Sequence, residues 1–401
     1  MPSVDVQEYF KELGEYVEKR WRAVNYNEEN FNQIAEEALL HFTTVDSVSY
    51  LDVLQYVILN TSLDVCQIKC KFSDLQWTLY QHQKFYIEAL YWMDGTTAIH
   101  QHGFSGAFSL LHGRSIHTEY DFHSKKRFNA FFYIGDLKVS KTSILHTGDV
   151  KKITAGKSFI HSVFHLDSPS VTLVIRNNTS IEHHPQLGYY APYVAFNAKD
   201  QQIALYRKIK SIQLMLNHQK EEGYRLLHQF VMQCSFYELY VLFSEISFFD
   251  FDLTQRGLLS THICKMPYGN ELLATLENQY QARRLNSLRG FIKDEEQRIF
   301  LAVLRNTPGK QNILKHLGEL FQCETNDRLI NVLTGFIEKI SRIGGVGFKS
   351  CNQLNALVNI LARDETDAEI ERKISQLGKE ALHCYQGLKE SFVLRNWFQA
   401  Y

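Results

Sequence analysis

The chain has 401 residues, of which 45% are hydrophobic and 22% are charged, and its formal net charge is −1. This balance is ordinary for a globular protein and provides no basic field for nucleic acid, so we expect no nucleic-acid partner. Because a single core rarely exceeds roughly 250–300 residues, the length predicts two or three domains.

The N-terminus and the cysteines together predict a cytoplasmic protein. The first residues lack the basic start and the apolar core of a secretory signal. No stretch approaches the roughly 20 apolar residues that cross a bilayer, so we expect no membrane partner. The 7 cysteines are dispersed and odd in number, which is typical of reduced thiols in a cytosol.

Residues 1–60 are predicted to form an N-terminal helical segment. Two stretches in this segment carry apolar residues at helical spacing. These residues are Val6, Tyr9, Phe10, Leu13 and Val17 in the first stretch, and Phe31, Ile34, Ala38 and Leu39 in the second. We expect the two helices to pack on the domain that follows.

Residues 61–182 are predicted to form an antiparallel β-barrel. The segments here are short, alternate between apolar and polar residues, and are separated by turn pairs such as Gly135-Asp136 and Gly148-Asp149. Many short strands at close spacing favour a barrel or sandwich over a parallel sheet. The candidate strands are residues 66–72, 75–81, 85–93, 97–101, 106–112, 115–122, 129–134, 142–146, 150–154, 158–165 and 170–176.

Residues 177–200 are interpreted as a connector, and residues 200–401 as an all-α domain. Asp294 with Gln297 three residues later is an N-cap pattern, and Pro308-Gly309 is typical of a helix end. The predicted fold class is therefore α+β and multidomain, with N-terminal helices, a jelly-roll barrel and a C-terminal helical domain. The helical pattern gives no indication of chemistry.

Histidine is the unusual residue of the barrel segment, since 11 of the 17 histidines lie between His82 and His184. His100 and His102 are two residues apart in a predicted strand, so their side chains project from one face. His161 lies in a second apolar, strand-like segment after a glycine turn. Imidazole is a ligand for iron, copper, zinc, nickel and manganese, so these three residues are candidate metal ligands.

The segment around the first two histidines resembles the first motif of the cupin superfamily. That motif runs from a glycine through His-x-His and a glutamate to a second glycine. Here the order is Gly95, four residues, His100-Gln-His102, three residues, Gly106, six residues and Gly113. Every fixed position is present except the glutamate, whose place is taken by Gly106.

The segment around the third histidine resembles the second cupin motif. That motif contains a glycine, a Pro-x-Gly turn, a histidine and an asparagine. Here Gly148 is followed by a turn from Thr154 to Gly156, then by His161 and, four residues later, His165. Thr154 replaces the proline, two extra residues precede the histidine, and His165 stands in the asparagine position. The resemblance covers only about residues 64–180.

A histidine-only ligand set looks like the thiol-dioxygenase branch of this superfamily, which holds Fe(II) on three histidines. The resemblance thus implies Fe(II) as cofactor, with a small-molecule substrate and O2 as reactants; Mn, Zn, Ni or Cu stay open. The branch's catalytic tyrosine corresponds here to Arg176, and its supporting histidine to Val174. No cysteine lies between Cys70 and Cys234, so the Cys–Tyr crosslink of some members cannot form. We therefore carry over the metal site and not the substrate.

Four further residues are candidates for a role at this site. His117 is a candidate acid or base, with a surface histidine as the alternative. Tyr120 and Arg176 are candidates for binding a substrate phenol or carboxylate, with a salt bridge at the barrel rim as the alternative for Arg176. His165 is a candidate fourth ligand or a hydrogen-bond donor to a ligand.

The functional hypothesis is a non-haem metal-dependent oxygenase or dioxygenase, hence an enzyme. A metal-dependent isomerase or lyase is the alternative that uses the same site. A non-catalytic cupin module that senses a ligand and is coupled to the helical domain is the third. The substrate and the oligomeric state are not determined by the sequence.

Overall fold

The computed structural model describes residues 5–42, 47–60, 66–68, 72–93, 95, 97–178, 186–197, 203–343, 346, 348–363 and 365–398. The chain divides into two compact units, Met1–Tyr280 and Gln281–Tyr401. The boundary between the units lies inside the segment 200–401, which we predicted as one helical domain. The predicted domains 1–60, 61–182 and 200–401 stay a prediction.

Within the described residues, three helices precede the strands: α1 (Val6–Ala23), α2 (Phe31–His41) and α3 (Tyr50–Leu59), with a 3-10 turn at Glu28–Asn30 between the first two. Asp5 caps α1 and Ser49 opens α3 with a capping box, which satisfies backbone N–H groups that each helix leaves unpaired. The predicted N-terminal helices are therefore confirmed.

Eleven strands follow in the described part of the chain, and all of their pairings are antiparallel. They are β1 (Leu75–Gln81), β2 (Phe85–Trp92), β3 (Ile99–Gln101), β4 (Gly106–His112), β5 (Ser115–Arg127), β6 (Phe132–Leu145), β7 (Val150–Ile153), β8 (Ile160–His165), β9 (Ser170–Asn177), β10 (Gly188–Tyr190) and β11 (Val194–Phe196). One sheet has the order β1-β2-β9-β4-β7, and the other closes as β10-β11-β6-β5-β8-β3. The predicted antiparallel barrel is confirmed.

Alternation along the strands decides which side chains face the space between the two sheets. Phe85 and Ile87 of β2 share a core with the N-terminal helices, so this face of the first sheet is covered by helices. Trp92 of β2, Phe108 of β4 and Val163 of β8 belong to a different cluster. Because that cluster has members from both sheets, it fills the barrel interior.

The strand predictions failed at three places. The predicted strands 129–134 and 142–146 belong to one strand, β6, and Gly135-Asp136, predicted as a turn between strands, lies inside it. Residues 66–68 are not strand, and residues 69–71 of the predicted strand 66–72 lie outside the described residues. The predicted connector 177–200 contains β10 and β11, which join β3 to β6 and so complete the second sheet. Strands of three residues carry too little alternation to be recognised in a sequence.

The rest of the described chain is helical, as predicted. The helices are α4 (Ile203–His218), α5 (Lys220–Gln233), α6 (Phe236–Glu245), α7 (Leu253–Ile263), α8 (Gly269–Phe291), α9 (Glu295–Asn306), α10 (Lys310–Leu320), α11 (Asn326–Ser341), α12 (Leu354–Ala362), α13 (Asp367–Leu377), α14 (Lys379–Glu390) and α15 (Arg395–Phe398), with a 3-10 turn at Phe248–Asp250. Asp294 accepts a hydrogen bond from the backbone of Gln297 at 2.9 Å, which confirms the predicted cap of α9. None of the described helices is long and apolar enough to cross a membrane.

The first unit includes helices that we assigned to a separate domain. Phe132 of β6 and Phe196 of β11 share a core with Leu205 of α4 and Tyr240 of α6. These helices therefore pack on the barrel itself. In the second unit, Phe300 of α9 stacks on Phe336 of α11 with ring centroids 4.7 Å apart.

Gly106, which takes the place of the motif's glutamate, lies where β4 and β9 approach closely. A Cβ atom at this position would lie 2.1 Å from the carbonyl oxygen of Ile175 and 3.0 Å from the Cα atom of Arg176. Both are backbone atoms, so they cannot turn aside as a flexible side chain would. The strand pairing thus excludes a glutamate here.

We predict that Gly106→Ala lowers the free energy of unfolding by about 1–3 kcal/mol, because the methyl group forces β4 and β9 apart. Chemical denaturation followed by circular dichroism measures this. Gly257→Ala in α7 is the control, since its Cβ meets nothing within 4 Å and alanine favours a helix. An unchanged stability of the Gly106 variant would contradict the close approach.

Candidate metal centre

Three histidines meet in the barrel because β3 and β8 are neighbours in a fixed register. His100 lies directly opposite His161 in this pairing, and His102 follows two residues after His100. All three side chains are buried. One ring nitrogen of each lies within 4.8 Å of the other two. The structure therefore brings together the three predicted ligands in a group that could hold a metal ion.

Two of the six ring nitrogens of this group, Nε2 of His100 and Nδ1 of His102, have no hydrogen-bond partner. Nε2 of His102 lies 2.8 Å from Nε2 of His161. Two nitrogens that bind one ion at right angles, each at about 2.1 Å, would lie about 3 Å apart, so the contact fits shared ligation. His100 donates from Nδ1 to the carbonyl of Ala98 at 2.7 Å, and its Nε2 is buried with no hydrogen-bond partner. A lone pair on that nitrogen has no hydrogen bond to lose when it binds a metal.

Burial keeps the three imidazoles neutral. Loss of solvation holds the pKa values of His102 and His161 well below their ordinary value, and the charges of neighbouring groups lower them further. Loss of solvation also lowers the pKa of His100, although its hydrogen bond to Ala98 opposes this. Neutral imidazole is the form that binds a metal ion. The donor set thus fits a divalent transition metal.

Aromatic side chains surround the group. The Phe104 ring lies 4.6 Å from that of His102, and the Phe159 ring lies 4.5 Å from that of His161. Phe72 contacts His100 edge-on at 5.7 Å. Such a wall keeps the surroundings apolar, which strengthens electrostatic interactions at the group.

His117 of β5 lies beside this group and contacts one of its members. Its Nε2 is 3.0 Å from Nδ1 of His161. Burial lowers the pKa of His117 to about 3, with smaller contributions from Lys151 and Lys141. His117 is therefore a buried neutral histidine, and the alternative of a surface histidine is wrong.

Glu119 is a neighbour that the sequence reasoning missed. It lies directly opposite His161 in the pairing of β5 with β8, and its Oε1 is 3.6 Å from Nδ1 of His117. The available signal was alternation: Glu119 is two residues after His117, so both project from one face of the strand.

Arg176 of β9 is engaged in an ion pair inside the barrel. Its Nη1 lies 3.3 Å from Oε1 of Glu88, whose side chain is only 1% exposed. Its Nε donates to the hydroxyl of Tyr86, and its guanidinium stacks on the Tyr86 and Phe104 rings. Burial raises the pKa of Glu88, and Arg176 and Gln76 oppose this. The predicted alternative of a salt bridge is therefore what the structure contains.

Tyr120 is not brought to the histidine group. It pairs with Ile160, whereas Glu119 pairs with His161, so Tyr120 lies on the opposite face of the sheet. There it packs against a separate apolar cluster, and its hydroxyl lies 3.3 Å from that of Ser162. The alternation of β5 that turns His117 inward turns Tyr120 outward, so we do not retain a catalytic role for it.

His165, the candidate fourth ligand, faces the interior but stands apart from the group of three. Its Nδ1 lies 3.0 Å from the hydroxyl of Ser115, and its ring stacks on Trp92 with centroids 4.6 Å apart. Burial lowers its pKa to about 3. It lies four positions after His161 on β8, which places the two Cα atoms roughly 13 Å apart.

Comparisons with known proteins give partial matches to solved structures. No family model matches the chain, and no curated protein does. A structure of DMSP lyases is 17% identical over 28% of this chain and 50% of that chain, with a TM-score of 0.19, so the match spans about half of that protein. A cupin superfamily protein from Desulfitobacterium hafniense DCB-2 is 14% identical over 27% of this chain and 83% of that chain, with a TM-score of 0.18.

A third match is hydroquinone 1,2-dioxygenase from Sphingomonas sp. TTNP3 with 4-hydroxybenzoate bound. It is 8% identical over 27% of this chain and 68% of that chain, with a TM-score of 0.22. Each of the three structures matches between 27% and 28% of this chain.

The buried histidines predict that the barrel loses stability in acid. A histidine whose pKa falls from 6.5 to about 3 on folding stays neutral when folded but binds a proton when unfolded, so stability falls as the pH drops below 6.5. His165→Phe removes one such group. We expect the loss in free energy of unfolding between pH 7 and pH 5 to shrink by about 2 kcal/mol.

Urea denaturation of both proteins at pH 7 and pH 5 measures this difference. His123→Phe makes the same substitution at an exposed position of β5 and is the control for a histidine outside the barrel interior. Equal pH dependence in the His165 variant and the wild type would show that His165 is protonated in the folded protein.

Proposed function

We propose that this chain is a non-haem metal-dependent oxidoreductase of the cupin dioxygenase type, which acts on a small molecule. His100, His102 and His161 would be the metal ligands, with Fe(II) as the metal. The observation that supports this most is the convergence of three buried imidazole nitrogens within 4.8 Å, from two strands whose register holds them there.

A bound Fe(II) ion would supply positive charge and redox chemistry for the reaction of a substrate with O2. Three neutral ligands, without the usual glutamate, leave that charge uncompensated. The close approach at Gly106 gives a structural reason for this ligand set, because no glutamate fits there.

The neighbouring side chains have distinct proposed roles. Phe104 and Phe159 limit the access of water to the histidines. Arg176 already has its charge balanced by Glu88, which favours a hydrogen bond to a polar group of the substrate over the binding of a free carboxylate. The neutral state of His117 favours support of His161 over general-acid catalysis.

The metal centre is tested by elemental analysis of the protein purified from its native host. We expect about one iron per chain in the wild type, and loss of that iron in His100→Ala and His102→Ala, because each variant leaves too few ligands for tight binding. His123→Ala is the control, since this exposed histidine lies on the same sheet but outside the group. Unchanged metal content in the His100 and His102 variants would refute the ligand assignment.

The oxidoreductase activity is tested by oxygen consumption. The iron-loaded protein is mixed with a panel of small thiols, amines and carboxylic acids in an oxygen electrode. We expect consumption with one class of compound, and none with His161→Ala. Conversion of a compound without oxygen uptake would instead indicate a lyase or isomerase, and binding without conversion would indicate a sensing module.

A further inference from the structure

His161 is the one member of the histidine group with both ring nitrogens in contact with another imidazole. Its Nε2 faces His102 at 2.8 Å and its Nδ1 faces His117 at 3.0 Å. A neutral imidazole carries a single N–H. The proton therefore sits either on Nε2, which blocks that nitrogen as a ligand, or on Nδ1, which leaves the Nε2 lone pair free.

The choice between these tautomers depends on His117. If His161 donates from Nδ1, Nε2 of His117 must accept, and the proton of His117 must sit on its Nδ1. That nitrogen has no hydrogen-bond partner within bonding distance, but the carboxylate of Glu119 lies 3.6 Å from it. A negative charge beside Nδ1 favours an N–H there over a lone pair. Glu119 therefore biases His117 toward acceptance at Nε2.

We propose that His117 and Glu119 are positioning residues that set the tautomer of His161 and so make its Nε2 available to a metal ion. This inference rests on the proposed metal centre and adds two residues to it. The sheet holds all three side chains in place, because Glu119 lies directly opposite His161 and His117 is two residues away on the same strand. A histidine ligand whose other nitrogen donates to a fixed acceptor is a common device of metal sites.

The other members of the group differ in this respect. His100 has its tautomer fixed by the carbonyl of Ala98, which can only accept. The buried Nδ1 of His102 has no hydrogen-bond partner. In the proposed arrangement, His117 accepts a hydrogen bond from Nδ1 of His161, as the carbonyl of Ala98 does from Nδ1 of His100. The His117–Glu119 pair also brings a negative charge toward a centre whose three ligands are neutral.

The first test is metal affinity, with Zn(II) as the probe in competition with a chromophoric chelator. His117→Leu keeps the volume but removes the acceptor, and it should weaken Zn(II) binding by about 10–100-fold. His117→Gln places an amide oxygen near the position of Nε2, so it should bind within about threefold of the wild type. Glu119→Gln should cause an intermediate loss.

Thr118→Val is the matched control. It removes a buried hydroxyl that contacts Thr142 at 3.2 Å, but Thr118 pairs with Ser162 and lies on the other face of β5. Its affinity should equal that of the wild type. If His117→Leu binds Zn(II) as well as the wild type does, or if His117→Gln is as weak as His117→Leu, the positioning role is refuted.

The second test detects the tautomer directly in the metal-free protein. Two-bond ¹H–¹⁵N correlation spectra of ¹⁵N-histidine-labelled protein report which ring nitrogen is protonated, and the His161 signals are assigned by their loss in His161→Gln. We expect the Nδ1-protonated form in the wild type and a shift toward the Nε2-protonated form in His117→Leu. An Nε2-protonated His161 in the wild type would overturn the inference. A wild type that binds no metal would instead refute the proposed function, while the spectra still decide the tautomer.

Discussion

The register between β3 and β8 is the constraint on which the rest of the site depends. It sets His100 opposite His161, and the two-residue period of β3 then adds His102 to the same face. A shift of one residue would turn one strand's histidines to the other face of the sheet and disperse the group. β3 also pairs with the short strand β10 on its other edge. Hydrogen bonds on both edges of β3 therefore hold its register.

Burial of so many histidines has a cost in stability, which the surrounding structure must offset. The interior holds His117 and His165 in addition to the group of three, and burial lowers the pKa of each. The N-terminal helices offset part of this cost by covering the other sheet with a large apolar core. One contact joins the helices to the turn before the third histidine: Asn32 donates to the hydroxyl of Thr154 at 3.0 Å.

Charge in the barrel is distributed so that the histidine group itself stays uncharged. The cation of Arg176 is paired with Glu88 on the first sheet, and Glu119 lies behind His117 on the second. The glutamate of the first cupin motif has no counterpart here, and Gly106 takes its position. At this position β4 and β9 leave no space for a side chain. The electrostatics and the packing are therefore both consistent with the proposed ligand set of three histidines.

The sequence by itself determined the barrel, the flanking helices and the three histidines, because alternation and helical spacing are local properties that single segments carry. It did not determine that β10 and β11 complete the second sheet, since strands of three residues carry almost no pattern. Only the tertiary structure decided which face each strand of the barrel turns inward. That choice separated Tyr120 from the site, paired Arg176 with Glu88 and placed Glu119 behind His117. The physical reason is that contacts between strands depend on register across the sheet, which no single segment encodes.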